Sequence, residues 1–224
     1  ALHTTTRWPT PNPPAKPVPG HKWITYLSGD GRPVGGGTRM LEVEVRYRTA
    51  DRAAVASRLL AWGATLAEDR ADVDLYFNAP DRDLKTTDEA FRLRRIGDTN
   101  CFTYKGPRRD ADTKTRTEIE IPLGDGPRVA ADAERLLLAL RYRPVVTVRK
   151  KRQVYRLTRD GFPMEVCFDE VERVGAFVEL EILAPEEQYE PAKAVLLRAA
   201  ADLGLTDKET RSYLGMVLAA EGRE

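Results

Sequence analysis

Short runs of alternating apolar and charged residues begin at Leu41 and recur along the chain. Residues 41–48 alternate for eight positions, the period-two pattern of a strand whose two faces meet different surroundings. Comparable runs lie near 64–78, 90–96, 99–105, 115–122, 145–158, 161–169 and 176–183. The pattern therefore predicts about eight β-strands.

Helical spacing separates some of these strands. Asp51 can cap a helix that extends to about Trp62, and Gly63 ends it. A second helix is predicted over about 129–140, with the inward-facing residues Ala133, Leu136, Leu137 and Leu140. Two further helices are expected near 186–203 and 207–220. Because strands outnumber helices and do not alternate with them one for one, the order favours an α+β fold with a mostly antiparallel sheet.

Residues 1–39 differ in kind from the rest. They are rich in proline, carry three consecutive glycines at 35–37 and show no apolar periodicity. Prolines remove backbone donors, and few large apolar groups are present to offset the chain entropy. We expect a disordered or extended arm over 1–39 and a folded domain over 40–224. Alternatively, Met40 is the natural start and the upstream residues are not native.

Composition narrows the function classes. Apolar residues make up 42% and charged residues 32% of the chain, which is typical of a globular protein. The net charge of +1 provides no overall field that would attract nucleic acid or an anionic membrane. Cys101 and Cys167 match no metal or redox spacing, so we expect small buried hydrophobes. No apolar run approaches the ~20 residues of a membrane span. We expect a cytoplasmic protein that binds neither nucleic acid nor membrane.

The predicted strands carry charges at alternate positions, often of one sign per strand. Charges that share a face are Glu42, Glu44 and Arg46 in the first strand, Arg92 and Arg94 in the third, and Glu179 and Glu181 in the last. The basic run 149–152 presents Lys150 and Arg152 to one face and Arg149 and Lys151 to the other, and a bulge would exchange them. An open sheet with one solvated face would explain these charges without any further function. The alternative is a closed sheet with a charged lumen.

In a closed sheet, the charged side chains would line an enclosed cavity. The interior of an eight-stranded barrel is just wide enough for side chains or one small ligand. Charges buried there must be paired or bound to a ligand. Arginine and lysine fit a phosphate chain, and carboxylates fit hard divalent ions such as Mg²⁺. The mixed signs therefore indicate a metal-dependent polyphosphate site.

The first strand, Glu42-x-Glu44-x-Arg46, resembles the acidic-x-acidic-x-basic hallmark of the CYTH superfamily, which includes class IV adenylate cyclases and thiamine triphosphatases. The family more often has lysine where this chain has Arg46, which keeps the charge and adds bidentate geometry. Further segments that resemble its cyclase-type, CyaB-like branch are 74–80, 88–95, 103–107, 116–120, 150–152, 168–171 and 175–181. The resemblance covers about 41–220.

The resemblance implies an eight-stranded antiparallel β-barrel, the triphosphate tunnel fold, with flanking helices. It implies Mg²⁺ or Mn²⁺ as cofactor, with Glu42, Glu44, Glu179 and Glu181 as metal residues. The implied triphosphate-binding cations are Arg46, Arg92, Arg94, Lys105, Lys150 and Arg152. The implied catalytic residues are Glu44, Asp169 and Arg152, with Asp169 as a further acid near the metals. Each of these cations, and Arg116 as well, could instead be a partner in an internal ion pair.

The resemblance further implies conversion of ATP to cyclic AMP and pyrophosphate. The alternatives are hydrolysis of thiamine triphosphate or inorganic tripolyphosphate, and a non-catalytic sensor of nucleotide or polyphosphate. Residues 211–214 resemble a C-terminal element that closes one tunnel mouth, against the simpler interpretation of ordinary helix packing. A homodimer is suggested by family analogy only.

Overall fold

The computed structural model describes residues 40–49, 51–110 and 113–223. The predicted arm over 1–39 lies outside these residues. The strands are β1 Met40–Arg48, β2 Thr65–Asn78, β3 Ala90–Ile96, β4 Thr99–Arg108, β5 Arg116–Pro122, β6 Arg143–Arg159, β7 Phe162–Val171 and β8 Gly175–Pro185. The helices are α1 Arg52–Ala61, α2 Pro127–Ala139, α3 Tyr189–Asp202 and α4 Tyr213–Ala220, with a 3₁₀ turn at Glu186–Gln188.

The eight strands close into one antiparallel barrel in the order β1-β5-β4-β3-β2-β6-β7-β8. The predicted α+β barrel with flanking helices is therefore confirmed. Alternate positions of each strand point to opposite faces, so one set of side chains lines the lumen and the other packs under the helices. In β1, residues 41–47 are buried on both faces.

Helices α1, α2 and α3 cover the outer face of the barrel, and α4 covers one of its ends. α1 and α3 pack on β1, β7 and β8 around Val45, Leu180 and Leu196. α2 packs over Phe77 and Leu93. α4 packs on Phe177 and Val146, which lie on the inward faces of β8 and β6, the faces that also carry Glu179 and Lys150. No helix in the described part of the chain has the length and apolar character that a membrane crossing would need.

The start of α1 agrees with the expected cap. The Asp51 side chain accepts a hydrogen bond of 2.9 Å from the backbone N–H of Ala54, which satisfies one of the free donors of the first turn. Gly63 follows the helix at φ 81°, a left-handed conformation that glycine adopts without steric cost.

Two helix predictions need correction. In α2 only Leu137 is buried among the leucines expected to face inward, and Leu136 and Leu140 are each 55% exposed. The helix contacts the barrel along a narrow line, so residues one step of about 100° away point to solvent. Ala133 packs at the edge of the contact as expected.

The last helix begins at Tyr213, not near 207 as predicted. Residues 206–212, here called the strap, belong to no helix or strand and lie beside the end of β1, with one bridge between Tyr47 and Lys208. The N–H of Arg48 donates to the carbonyl of Asp207 and the N–H of Glu209 donates to the carbonyl of Arg46, both at 2.8 Å. β1 and β5 share a single register pair, Glu42 with Arg116. The strap therefore supplies partners for β1 backbone groups that β5 leaves unpaired.

The narrow contact of α2 makes a testable prediction. Replacing Leu137 by alanine should lower the free energy of unfolding by about 2–5 kcal/mol, because a buried leucine is lost and a cavity remains. The neighbouring change Leu136→Ala should alter it by no more than about 0.5 kcal/mol, since that side chain is exposed. Urea denaturation of both variants measures the difference, and equal losses would contradict the observed packing.

Candidate active site

The lumen of the barrel is a cavity of about 480 Å³. Every predicted metal and phosphate-binding residue lines it: Glu42, Glu44, Arg46, Arg92, Arg94, Lys105, Lys150, Arg152, Glu179 and Glu181. Lys150 and Arg152 are buried whereas Arg149 and Lys151 are exposed, so β6 has no bulge that exchanges its faces there. The open-sheet alternative is thus excluded for these charges.

One ion-pair network spans β1, β6, β7 and β8. Arg46 pairs with Glu179 and, at 3.0 Å, with Glu44. Arg152 pairs with Glu179 as well, and its Nε donates to Asp169 Oδ1 at 2.6 Å. Burial alone would raise the pKa of Glu179, but Arg46 and Arg152 outweigh it and hold that pKa well below its usual range. Glu179 is therefore a carboxylate clamped between two guanidinium groups.

Asp169 is on the inward face of β7 but is covered by Lys150, Arg152 and Tyr213, which line the cavity in its place. It is 1% exposed and accepts hydrogen bonds from Arg152, from Lys150 at 3.4 Å and from the Tyr213 hydroxyl at 2.8 Å. A carboxylate in this place fixes the directions of two cations and of one aromatic ring. The geometry thus suits Asp169 to positioning rather than to direct contact with a ligand.

A second clamp lies across the lumen, on β2 and β3. Asp74 accepts two hydrogen bonds from Arg94, at 2.7 and 2.8 Å, and one from Arg92 at 3.2 Å. Burial alone would raise the pKa of Asp74, but Arg92 and Arg94 hold it far below its usual range. The same Arg92 donates to the Tyr76 hydroxyl at 3.1 Å. Asp74 thus neutralises and orients two phosphate-binding candidates without a ligand.

Asp72 and Asp74 were not predicted as site residues. Asp72 is 1% exposed, lies 3.7 Å from Lys150 and accepts a 3.0 Å hydrogen bond from Arg70. Their signal in the sequence is the alternation Asp72-x-Asp74-x-Tyr76, which places three polar groups on one strand face. β2 lies between β3 and β6, which both carry cations on their inward faces. Acidic residues on β2 are therefore needed to neutralise them.

Lys105 bridges two carboxylates on the β4, β5 and β1 side of the lumen. Its Nζ lies 3.1 Å from Glu42 and 2.8 Å from Glu118. Burial and the nearby Glu42 raise the pKa of Glu118 to about 8 despite the lysine. Burial and the neighbouring Glu42 therefore favour the neutral form of Glu118.

Lys114, which was not predicted either, lies where the strap meets the cavity. Burial and the charge of Arg46 lower the pKa of Lys114 to about 7. Its Nζ donates to the carbonyl of Arg211 at 3.1 Å and lies 3.8 Å from Glu44. The one signal for Lys114 in the sequence is its position just before β5.

Residues 211–214 form part of the cavity wall at one mouth of the tunnel. The carbonyl of Arg211 accepts from Arg46 at 2.9 Å and from Lys114. The Arg46 guanidinium carbon lies 3.6 Å from the ring centre of Tyr213, a cation–π contact. Tyr213 also packs edge-on against Phe177. Residues 211–214 therefore close this mouth of the tunnel, and Tyr213 and Leu214 also pack as the start of α4.

The donor set fits a hard divalent ion. Glu44 and Glu181 are register partners on neighbouring strands. Glu165, Cys167 and Glu181 have ligand atoms within 4.8 Å of one another. The carboxylates suit Mg²⁺ or Mn²⁺, which prefer oxygen, whereas the thiol does not. Glu181 belongs to both groups, and Glu165 and Cys167 were not predicted as ligands.

The CYTH domain family matches residues 40–213, and the chain belongs to this family. CYTH proteins act on triphosphates and are generally metal-dependent. A relative in Methanocaldococcus jannaschii, named "Putative adenylate cyclase MJ0240", is 34% identical over 142 residues, 63% of this chain and 77% of the relative. Adenylate cyclase CyaB of Aeromonas hydrophila is 30% identical over 178 residues, 77% of this chain and 86% of that protein.

Solved structures share the fold. PH1819 of Pyrococcus horikoshii OT3 superposes with a TM-score of 0.70 at 31% identity, over 80% of this chain and 98% of that one. HpAC1 of Hippeastrum, an adenylyl cyclase by name that is described as having a dominant triphosphatase activity, superposes with a TM-score of 0.59 at 16% identity, over 83% of this chain and 97% of that one. The second likeness concerns the fold alone.

The raised pKa of Glu118 predicts a pH dependence of stability. An unfolded glutamate has a pKa of about 4.3, so between that value and about 8 the folded state binds more protons than the unfolded state. The contribution of Glu118 is therefore fully present below about pH 4.3 and is lost as the pH rises through about 8. Glu118→Gln removes this contribution.

Urea denaturation in EDTA at about pH 5, 6.5 and 8 tests this. The wild-type protein should lose more stability from pH 5 to pH 8 than the Glu118→Gln variant does. The exposed Glu170→Gln serves as the control and should follow the wild-type curve. Parallel curves for wild type and Glu118→Gln would contradict the assignment.

Proposed function

We propose that this protein is a class IV adenylate cyclase-like enzyme that converts ATP to cyclic AMP and pyrophosphate. The observation that carries the proposal is the arrangement of the lumen, where buried arginines and lysines face carboxylates across a cavity of about 480 Å³. A phosphate chain matches the cations, and the family acts on triphosphates. The names of the two relatives favour the cyclase.

The roles follow from position. Arg46, Arg92, Arg94, Lys105, Lys150 and Arg152 would bind the triphosphate. Arg92 and Arg94 are held ready by Asp74, and Arg152 by Asp169. Donors that are already oriented need no reorganisation as charge develops on the phosphates. We therefore assign Arg152 to charge stabilisation and Asp169 to positioning.

The chemistry is a displacement at the α-phosphorus. The ribose 3′-oxygen forms a bond to that phosphorus, the bond to the β-phosphate oxygen breaks, and the hydroxyl proton is released. The tunnel cations hold the departing pyrophosphate and neutralise its charge. Glu44 and Glu181, with Glu42 and Glu179, would hold Mg²⁺ or Mn²⁺, and such an ion lowers the pKa of the attacking hydroxyl and stabilises phosphate charge.

The second candidate is hydrolysis of thiamine triphosphate or inorganic tripolyphosphate, in which water attacks the terminal phosphorus. The Hippeastrum protein, which is described as having a dominant triphosphatase activity, indicates that the same fold can carry this reaction. A non-catalytic sensor is the third candidate. The adjacent Glu44 and Glu181 argue against it, because acids beyond those that neutralise the buried arginines weaken the attraction of the cavity for an anion.

Product analysis separates the three candidates. The protein is incubated with ATP, thiamine triphosphate or tripolyphosphate, each with Mg²⁺ or Mn²⁺, and products are resolved by ³¹P NMR and chromatography. Cyclic AMP with an equal amount of pyrophosphate is the expected result. Orthophosphate would instead establish a hydrolase, and binding without any product would establish a sensor.

The carboxylate roles are tested by substitution. Glu44→Gln and Glu181→Gln should each reduce metal-dependent turnover by roughly 100-fold or more, because the amide keeps the shape but not the charge that holds the ion. The exposed Glu170→Gln is the matched control and should keep the wild-type rate. Wild-type turnover in either lumen variant would remove that residue from the metal site.

A further inference from the structure

One group of donors in the lumen contains sulfur. Cys167 of β7 lies beside Glu165 of the same strand and Glu181 of β8, and one ligand atom of each residue is within 4.8 Å of the other two. Cys167 and Glu181 are buried, and Glu165 is half-buried. Among the described residues, no other group of three or more such side chains comes together. A hard ion bound by oxygen does not explain the thiol.

The pairing of β7 with β8 holds these donors in place. Glu165 and Glu181 are register partners, and Cys167 lies two residues after Glu165 on the same strand face. Side chains that lie directly opposite on antiparallel strands have Cβ atoms about 4.5–5.5 Å apart. The carboxylates and the sulfur therefore converge without any movement of the backbone, on paired strands that position ligands more precisely than loops do.

The donor set fits Zn²⁺ better than Mg²⁺. Zn²⁺ binds thiolate at about 2.3 Å and carboxylate oxygen at about 2.0–2.2 Å, most often in a tetrahedron, which places neighbouring ligand atoms roughly 3.5 Å apart. Rotation of the two glutamate side chains covers the difference from 4.8 Å. Three protein ligands leave the fourth position to water, as in zinc sites that stay open. Mg²⁺ requires near-ideal octahedral coordination by oxygen, so the sulfur discriminates against it.

An ion in the lumen can reach this group, because Glu165 and Glu181 line the cavity. Arg156 pairs with Glu165 at 2.8 Å, and Arg152 lies 3.8 Å from Glu181. The Arg156 side chain is 49% exposed and also pairs with Glu68 at 2.7 Å, so it keeps a partner when an ion takes Glu165. Two carboxylates and a thiolate carry one negative charge more than a divalent ion compensates, and Arg152 offsets that charge.

Arg152 also interacts with the sulfur itself. Burial would lower the pKa of Arg152, but Asp169, Cys167 and Glu179 raise that pKa well above its usual range. The attraction is mutual, so the guanidinium that gains from a negative sulfur also favours the thiolate. The thiolate is the form of cysteine that binds a metal ion. The surroundings of Cys167 therefore suit a metal ligand.

Cys101 of β4 provides the contrast. It is 2% exposed, and its sulfur lies 3.9 Å from the Thr103 hydroxyl. Burial raises the pKa of the Cys101 thiol, which favours the neutral form that does not bind metal. Cys101 belongs to no group of three donors in the part of the chain that the structure describes. It is therefore a matched control for Cys167.

We propose that Glu165, Cys167 and Glu181 form a binding site for Zn²⁺. The site differs from the proposed Mg²⁺ or Mn²⁺ site in its sulfur ligand and shares Glu181 with it. Zn²⁺ bound here withdraws Glu181 from the other ion and so inhibits turnover. Ion binding is measured without substrate, so the site is tested independently of which triphosphate reaction the protein performs.

Titration of the reduced, metal-free protein with Co²⁺ tests the site. Co²⁺ accepts the geometry of Zn²⁺, and a cobalt–thiolate bond gives a charge-transfer absorption band in the near ultraviolet. Wild type should show this band, saturating at one Co²⁺ per chain, and should lose it on addition of Zn²⁺ but not of a large excess of Mg²⁺. Cys101→Ser should keep the band and Cys167→Ser should lose it. A band of wild-type strength in Cys167→Ser, or none in wild type, would overturn the site.

A second variant keeps the test decisive if Cys167→Ser does not fold, which thermal denaturation shows. Glu165→Gln retains the sulfur but should bind Co²⁺ roughly 10-fold more weakly or worse, because one charged ligand is lost. Glu170→Gln is the control, since Glu170 is exposed on the same strand, and it should match wild type. Unchanged Co²⁺ affinity in Glu165→Gln would contradict the site.

Inhibition is measured with Mg²⁺ and whichever triphosphate the product analysis identifies as substrate. Zn²⁺ should inhibit wild type, and Cys167→Ser should need roughly 10-fold more Zn²⁺ for the same inhibition, because the sulfur ligand is gone. Equal sensitivity of the two proteins would contradict competition at Glu181. If no product forms from any triphosphate, the proposed function fails, while the cobalt band still decides the zinc site.

Discussion

Charge neutralisation inside a closed barrel is the constraint on which the rest of this structure depends. Four arginines of the lumen, Arg46, Arg92, Arg94 and Arg152, are each less than 9% exposed. Burying such charges without acids at hydrogen-bond distance would strongly destabilise the fold. Asp74, Asp169 and Glu179 meet that requirement. The acids also fix the direction of every guanidinium, so the tunnel is oriented before any ligand enters.

These internal ion pairs set the terms of ligand binding. A triphosphate that enters the lumen competes with Glu179 for Arg46 and Arg152, and a divalent ion competes with the same arginines for carboxylates. The two exchanges compensate each other, because the phosphate replaces the acid on the arginine and the ion replaces the arginine on the acid. A cavity with balanced charge can therefore admit anion and cation together more readily than either alone.

The strand pattern was sufficient to predict the barrel residues, because period-two alternation fixes which side chains share a face once the sheet closes. Lys150 and Arg152 could not be distinguished from Arg149 and Lys151, since that choice depends on register with β2 and β7. Asp74 and Lys114 were not predicted as site residues because the residues that they contact are remote in sequence. The prediction for the leucines of α2 was wrong because the apolar face of this helix is wider than its contact with the barrel. Leu136 lies outside that contact and is exposed to solvent.

The strap has a consequence for how the protein is made. β1 is the first described strand, yet its backbone near Arg46 and Arg48 finds partners in residues 207–209, and Arg46 also rests on Tyr213. A nascent chain that has already delivered all eight strands from the ribosome still lacks these contacts. A chain cut before residue 207 would keep all eight strands, but the N–H of Arg48 and the carbonyl of Arg46 would lose these partners.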